Sequence, residues 1–181
     1  VGLVLQSATL GTGGDILVLE MGQPLNFPGG GRYINAASDS RLIAQAAHFA
    51  ATHEIAANET YNVVNGDMLI WQDIWESIAQ CFGMQAGASV PMELTSVMPT
   101  HEMIWKKVVD KHGLRDISLE QMIGSSWQFT DRALAHGLDT PANSVLSPIK
   151  LHQHGFHGCM DTEDSFNYWI ERMQKNQLLP Q

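Results

Sequence analysis

TYNVVNGDMLIWQDIWESIAQCFG, residues 60–83, carries the two periodicities from which the fold can be read. Thr60 to Val64 is a short β-prone run, and Asn65-Gly66-Asp67 closes it as a turn because glycine supplies the positive φ that tight turns require. Behind the turn, Ile70, Trp71, Ile74, Trp75, Ile78, Ala79 and Phe82 recur at helical spacing and predict a strongly amphipathic helix that Gly83 ends. A strand followed by a helix points to α/β architecture. A lone strand has unpaired backbone groups on both edges, so 60–64 calls for partners that the rest of the chain supplies sparingly.

Working outward, the pattern stays helical. With Ser38 or Asp39 as N-cap, Leu42, Ile43, Ala46, Ala47, Phe49 and Ala50 form one stripe of a helix reaching about Thr52. Met103, Ile104, Val108 and Val109 mark another, with Thr100 as its cap and Gly113 as its C′ residue. Ser118 to Gln121 has the form of a capping box, and Trp127 to His136 predicts a helix that stops at Gly137. The last helix is the best signalled. Asp161, Glu163 and Asp164 crowd its start, Arg172 and Lys175 its end, and Phe166, Trp169, Ile170 and Met173 its apolar face. Residues 23–35, 85–99 and 136–148 read as irregular. The fold class is therefore α/β, mainly helical, with few short strands, and no internal repeat divides the chain.

The chain has 181 residues, 19 acidic side chains against 10 basic for a net charge of −9, and 44% hydrophobic residues. Disorder is excluded, and the length suits one medium domain. The negative charge repels phosphate backbones and anionic lipid, so neither nucleic acid nor membrane is expected as a partner. Two cysteines are too few for a disulfide scaffold, and no secretory leader or long apolar run is evident, so a soluble cytoplasmic protein is the expectation. The numbering opens on Val1, with the first methionine at Met21, which reads as an excerpt from something longer.

The chemistry-bearing motifs are sparse. Gly11-Thr12-Gly13-Gly14 lies between apolar segments, but it fits neither G-x-G-x-x-G nor G-K-[ST], and Asp15 would sit beside any phosphate; a helix-breaking loop is expected. Gly29-Gly30-Gly31 has no helix behind it at the required spacing and reads as a flexible surface loop. His152, His154, His157 and Cys159 place four possible metal ligands within eight residues. No second ligand cluster accompanies them, so the expectation is no metal and a loop of imidazoles around a buried Phe156. Cys81 and Cys159 are expected to be packing residues, and no G-x-S-x-G elbow occurs. The five tryptophans all fall in predicted helices, where core packing is the ordinary role. Trp127, beside Phe129, can also present aromatic surface to an apolar ligand.

Collinear strings point further. They are 22–29 (GQPLNFPG), 38–42 (SDSRL), 58–67 (NETYNVVNGD) with Trp71 and Trp75, Trp105, 112–114 (HGL), 127–131 (WQFTD), 154–158 (HGFHG), Asp161-Thr162, Ser165-Phe166, Trp169-Ile170 and 178–180 (LLP). Together they resemble the C-terminal part of atypical extended short-chain dehydrogenases/reductases of the progesterone 5β-reductase/iridoid synthase-like family. The resemblance implies that residues 1–181 are a single partial domain, the mainly helical substrate-binding region of an oxidoreductase whose N-terminal Rossmann half holds NADPH. The activity implied is reduction of enone-type carbon–carbon double bonds in a hydrophobic, carbonyl-containing substrate. Hydride passes to the β-carbon in that family, and a tyrosine stabilises the developing enolate.

Carried over residue by residue, Trp127 and Phe129 match positions bordering the substrate cavity, and Phe156 is expected near the same wall. Gln128 departs from the family, which typically has a second tryptophan there, and 147–150 matches only in part. Tyr33, Tyr61 and Tyr168 are followed four residues on by Ala37, Asn65 and Arg172, so no Tyr-x-x-x-Lys is present. No catalytic residue is therefore assigned, and the chain alone is expected neither to bind NADPH nor to transfer hydride. The alternatives are part of a sugar-nucleotide epimerase or dehydratase of the same superfamily, and a free-standing, non-catalytic binding module for an apolar small molecule.

Overall fold

The computed structural model describes residues 24–124 and 126–181. The glycine run at 11–14 and the apolar segment at 16–21 lie outside them. The described part is mainly helical, as its sequence predicts, with one small sheet: β1 (Leu25–Phe27) pairs in parallel with β2 (Ala86–Ser89), Leu25 opposite Ala86 and Phe27 opposite Ser89. Both strands fall in stretches that read as irregular. Each is too short for a periodicity of two to register, and the pairing joins residues some sixty positions apart in sequence. The 60–64 run, conversely, forms no strand. It runs as extended chain tied by side chains, with Ser38 Oγ donating to the Val63 carbonyl and Asn62 Nδ2 to the Ser147 carbonyl.

The helices follow their signals closely. α1 (Ser40–Thr52) begins at Asp39, whose carboxylate caps the Arg41 N–H, and it buries Leu42, Ala46 and Phe49. α2 (Trp71–Gln80) buries Trp71, Ile74, Trp75, Ile78 and Ala79, the stripe read from the sequence, and Gly83 follows at φ 66°. Four-residue α3 (Leu94–Val97) and a 3₁₀ turn (Met98–His101) lead into α4 (Glu102–His112), which ends at Gly113 in the left-handed region. Thr100 is not the cap of α4. Its hydroxyl donates back to the Val97 carbonyl, inside the 3₁₀ turn that precedes the helix. α5 (Leu119–Ile123) has the full Ser118/Gln121 capping box.

α6 (Ser126–Ala133) stops short of His136 because Ala135 turns to φ 55° before Gly137 does. α7 (Ile149–Gln153) was not legible, having no side-chain cap and a single buried residue, Leu151. α8 (Thr162–Lys175) starts at Asp161, whose side chain accepts from the Asp164 N–H, and buries Phe166, Ile170 and Met173.

One main core gathers β1, α2, α4, α5, α6 and α8 around Phe27, Trp71, Trp75, Trp105, Trp127 and Phe166. Each such aromatic contributes roughly 2–3 kcal/mol by leaving water. Directional bonds fix two of its tryptophans. Trp75 Nε1 donates to the Leu25 carbonyl at 3.1 Å and packs edge-on to Phe27, while Trp105 Nε1 donates to the Ile117 carbonyl at 2.8 Å. A smaller cluster under α1 and α7 holds Phe49, Leu151, Tyr61 and Phe156.

Gly29 to Gly31 are the opposite of a flexible surface loop. Gly30 N donates to the Leu134 carbonyl at 2.9 Å and Gly31 N to the Leu138 carbonyl at 2.7 Å, backbone against backbone. A Cβ at Gly30 would stand 2.1 Å from the Ala135 carbonyl oxygen, so only glycine permits the approach.

Candidate functional site

α6 sits between the core and a surface cavity of about 610 Å³, whose lining includes Trp127 and Gln128 from α6, Thr95 from α3 and Pro99 from the 3₁₀ turn. Glu102, Ser118, Leu119, Glu120 and Gly124 complete the lining. The volume falls in the range of small-molecule sites. Its walls are held together by carboxylates. Glu102 accepts from the Leu119 N–H at 3.1 Å, joining α4 to α5, and Asp131 accepts from Leu94 N, Thr95 N and Thr95 Oγ1 at 2.8, 2.9 and 2.6 Å, joining α6 to α3.

The aromatic residues singled out in the sequence part company. Trp127 is 6% exposed and forms part of the cavity wall, whereas Phe129 is 59% exposed. Two positions on a helix lie about 200° apart around its axis, so the two rings leave α6 on different sides. Phe156 belongs to the smaller cluster, its ring 5.7 Å from that of Phe49. It is half-buried rather than buried, and it is not among the residues lining the Trp127 cavity.

Among the described residues, no group of three or more His, Cys, Asp or Glu is placed to hold a metal. The histidine-rich segment is split by structure: His152 lies in α7, His154 Nδ1 meets the Tyr61 hydroxyl at 2.6 Å, and the His152 and His157 rings stand 6.1 Å apart. Cys159 is exposed, contrary to the packing role expected of it. Cys81 is half-buried and donates to Asn167 Oδ1, and burial pushes its thiol pKa up.

The tyrosines are occupied by the fold. The Tyr33 hydroxyl donates to the Ala133 carbonyl and accepts from Asn35 Nδ2, and burial raises its pKa. Tyr168 lies under the Arg41 guanidinium, 3.8 Å from its ring centroid. Lys150 Nζ reaches within 5.4 Å of the Tyr61 ring, a proximity the sequence did not signal, but it donates to Glu59 and to the Thr60 carbonyl. The clustered glycine N–H groups at Gly30 and Gly31 are spent on the carbonyls of Leu134 and Leu138 and are not open to a phosphate.

Asn65-Gly66-Asp67 has the structural role expected of a turn, with Gly66 at φ 112°. Its side chains do more than turn the chain. Asn65 Oδ1 accepts from the Asp39 N–H at 2.7 Å, and Asp67 takes both the N–H and the hydroxyl of Thr162. The turn thus bolts the starts of α1 and α8 together. Asp39 itself is fully buried and receives Arg41 Nε, Arg41 Nη2 and Trp169 Nε1. Burial alone would raise its pKa, but the hydrogen bonds from Arg41 prevail and hold it at about 2.

No family model matches the chain. Individual relatives do. The chain is 32% identical over 79% of its length to the (S)-8-oxocitronellyl enol synthase ISY1 of Nepeta cataria. It is 30% identical over 87% of its length to the enol synthase CYC2 of Camptotheca acuminata. It is 29% identical over 88% of its length to the 3-oxo-Delta(4,5)-steroid 5-beta-reductase of Arabidopsis thaliana. The chain belongs to the progesterone 5β-reductase/iridoid synthase-like family. It spans 36–41% of the length of these relatives, and its mainly helical build with two short strands matches the region the sequence resembles in this reductase family. Among the described residues, no helix is long and apolar enough to cross a membrane.

Proposed function

We propose that this chain is the substrate-binding region of an NADPH-dependent reductase of enone-type carbon–carbon double bonds, with Trp127 contributing to the substrate wall. The observation that carries the reading is the similarity, along four-fifths of the chain or more, to both an enol synthase and a steroid 5-beta-reductase. The cofactor would be held by a Rossmann half outside the described residues. Support for such a second body comes from the groove of about 420 Å³ between Ile34, Val64, Met68, Val145 and Leu146, rimmed by side chains as exposed as Met68 (74%) and Val145 (62%). Apolar side chains gathered at that exposure are characteristic of a face that another body covers.

The sugar-nucleotide alternative is weaker on electrostatic grounds. The charged residues lining the Trp127 cavity are Glu102 and Glu120, and a diphosphate would meet repulsion from both. A neutral enone incurs no such penalty.

The test is to express the whole reading frame that encodes this chain, follow NADPH consumption with a 3-oxo-Δ4,5-steroid and with a short acyclic enone, and follow product formation from a nucleotide sugar by chromatography. Turnover of either enone supports the reading. Turnover of the nucleotide sugar alone, or of none of the three by folded protein, defeats it.

A further inference from the structure

We propose that Asp131 is the positioning residue that sets the width of the Trp127 cavity, and through it the bulk of substrate that the cavity admits. The second half of that statement rests on the enone-reductase reading above; the first half rests on geometry alone.

α6 lines the cavity through Trp127 and Gln128, and α3 with the 3₁₀ turn behind it lines it through Thr95 and Pro99. Asp131 stands one helical turn beyond Trp127 on α6, outside the lining, and its carboxylate ties α6 to α3 where the two helices pack together. Oδ1 takes the Leu94 N–H, while Oδ2 takes both the N–H and the hydroxyl of Thr95. α3 has no cap of its own, because the Glu93 side chain at the N-cap position accepts from the Ser96 hydroxyl and from no backbone N–H of the helix. Asp131 supplies that cap from 36 residues away.

Three directional bonds to one carboxyl group, at 2.6 to 2.9 Å, fix where Thr95 stands relative to Trp127 more tightly than apolar packing alone would. Thr95 is then both a lining residue and the point at which Asp131 grips α3.

Two readouts test this on the whole-reading-frame protein. The first is acrylamide quenching of the Trp127 emission, obtained as the difference between each protein and the same protein carrying Trp127→Phe. Asp131→Asn and Thr95→Val are expected to raise the quenching constant about twofold, and Thr95→Ser, which keeps the hydroxyl, less than Thr95→Val. The second is the ratio of KM values for a 3-oxo-Δ4,5-steroid and for 2-cyclohexenone, which is expected to shift at least fivefold in Asp131→Asn.

Unchanged quenching in a cooperatively melting Asp131→Asn protein overturns the width assignment. Equal KM changes for both substrates overturn the role in size selection. If Asp131→Asn does not fold, Thr95→Val removes one bond of the three and decides by the same measurements. A wild-type protein that turns over neither enone defeats the enone reading instead, while the quenching comparison still judges the geometry.

Discussion

Asn65 donates from Nδ2 to Thr162 Oγ1 at 3.0 Å, joining a tight turn to the first residue of the last helix across 97 positions of sequence. Thr162 Oγ1 in turn donates to Asp67 Oδ1 at 2.6 Å, and Asn65 Oδ1 accepts from the Asp39 N–H. A single buried amide therefore aligns α1, the turn and α8. The described part of the chain is assembled around contacts of this kind rather than around a large sheet.

Asn65→Ala leaves the Asp39 N–H and the Thr162 hydroxyl short of a partner in a region closed to water. The expected loss is about 2–4 kcal/mol, read as a lowered urea midpoint with an unchanged m-value. Asn65→Asp should be worse, because it removes the donor and adds charge beside Asp39 and Asp67. Equal stability of the alanine variant and wild type would show that the network contributes nothing.

Acid should unfold the protein partly through Asp39. Its folded pKa of about 2 lies below the ordinary carboxylate value, so its contribution is complete above about pH 4 and disappears as pH falls towards 2. The full size of the effect is about 2 kcal/mol. Stability measured by urea melts between pH 5 and pH 2.5 should fall less steeply in Asp39→Asn, which starts from a lower plateau. Parallel slopes for the two proteins would assign the acid sensitivity to other carboxylates.

The triple glycine can be tested against a glycine of a different kind. Gly30→Ala drives a methyl into the carbonyls of Ala135 and Leu138 and should cost about 3 kcal/mol, since backbone on both sides cannot yield cheaply. Gly113→Ala meets no atom within 4 Å and costs only the left-handed backbone, about 1 kcal/mol. Thermal melts that ranked the two the other way round would contradict the close packing of 29–31.

Phe129 and Phe166 separate function from packing on two different helices. Phe166→Ala empties a fully buried position and should lose about 3–5 kcal/mol. Phe129→Ala removes a ring that is mostly in water, so stability should change by about 0.5 kcal/mol or less. On the enone-reductase reading, the same change should leave KM for a bulky enone unaltered in the whole-reading-frame protein, because the ring leaves α6 on another side from the Trp127 cavity. A severalfold rise in KM would place Phe129 in the substrate wall.

By itself, the sequence determined what neighbouring residues decide together. The stripes of α1, α2 and α8, the capping box at Ser118, the αL glycine at 113 and the turn at 65–67 are all local, because each depends on side chains three or four positions apart, or on one glycine's φ. The kinship strings were equally legible, since they are matters of residue identity and order. Tertiary structure alone decided which backbone groups meet across the chain. It placed the strands at 25–27 and 86–89 rather than at 60–64, turned Gly29 to Gly31 into a packed seam, and sent Trp127 inward while Phe129 faced water. It also gave α3 its cap from Asp131 and split the histidines between separate contacts. The reason is physical: a hydrogen bond or a packed ring needs its partner within a few ångströms, and the sequence states the separation of such partners along the chain but not in space.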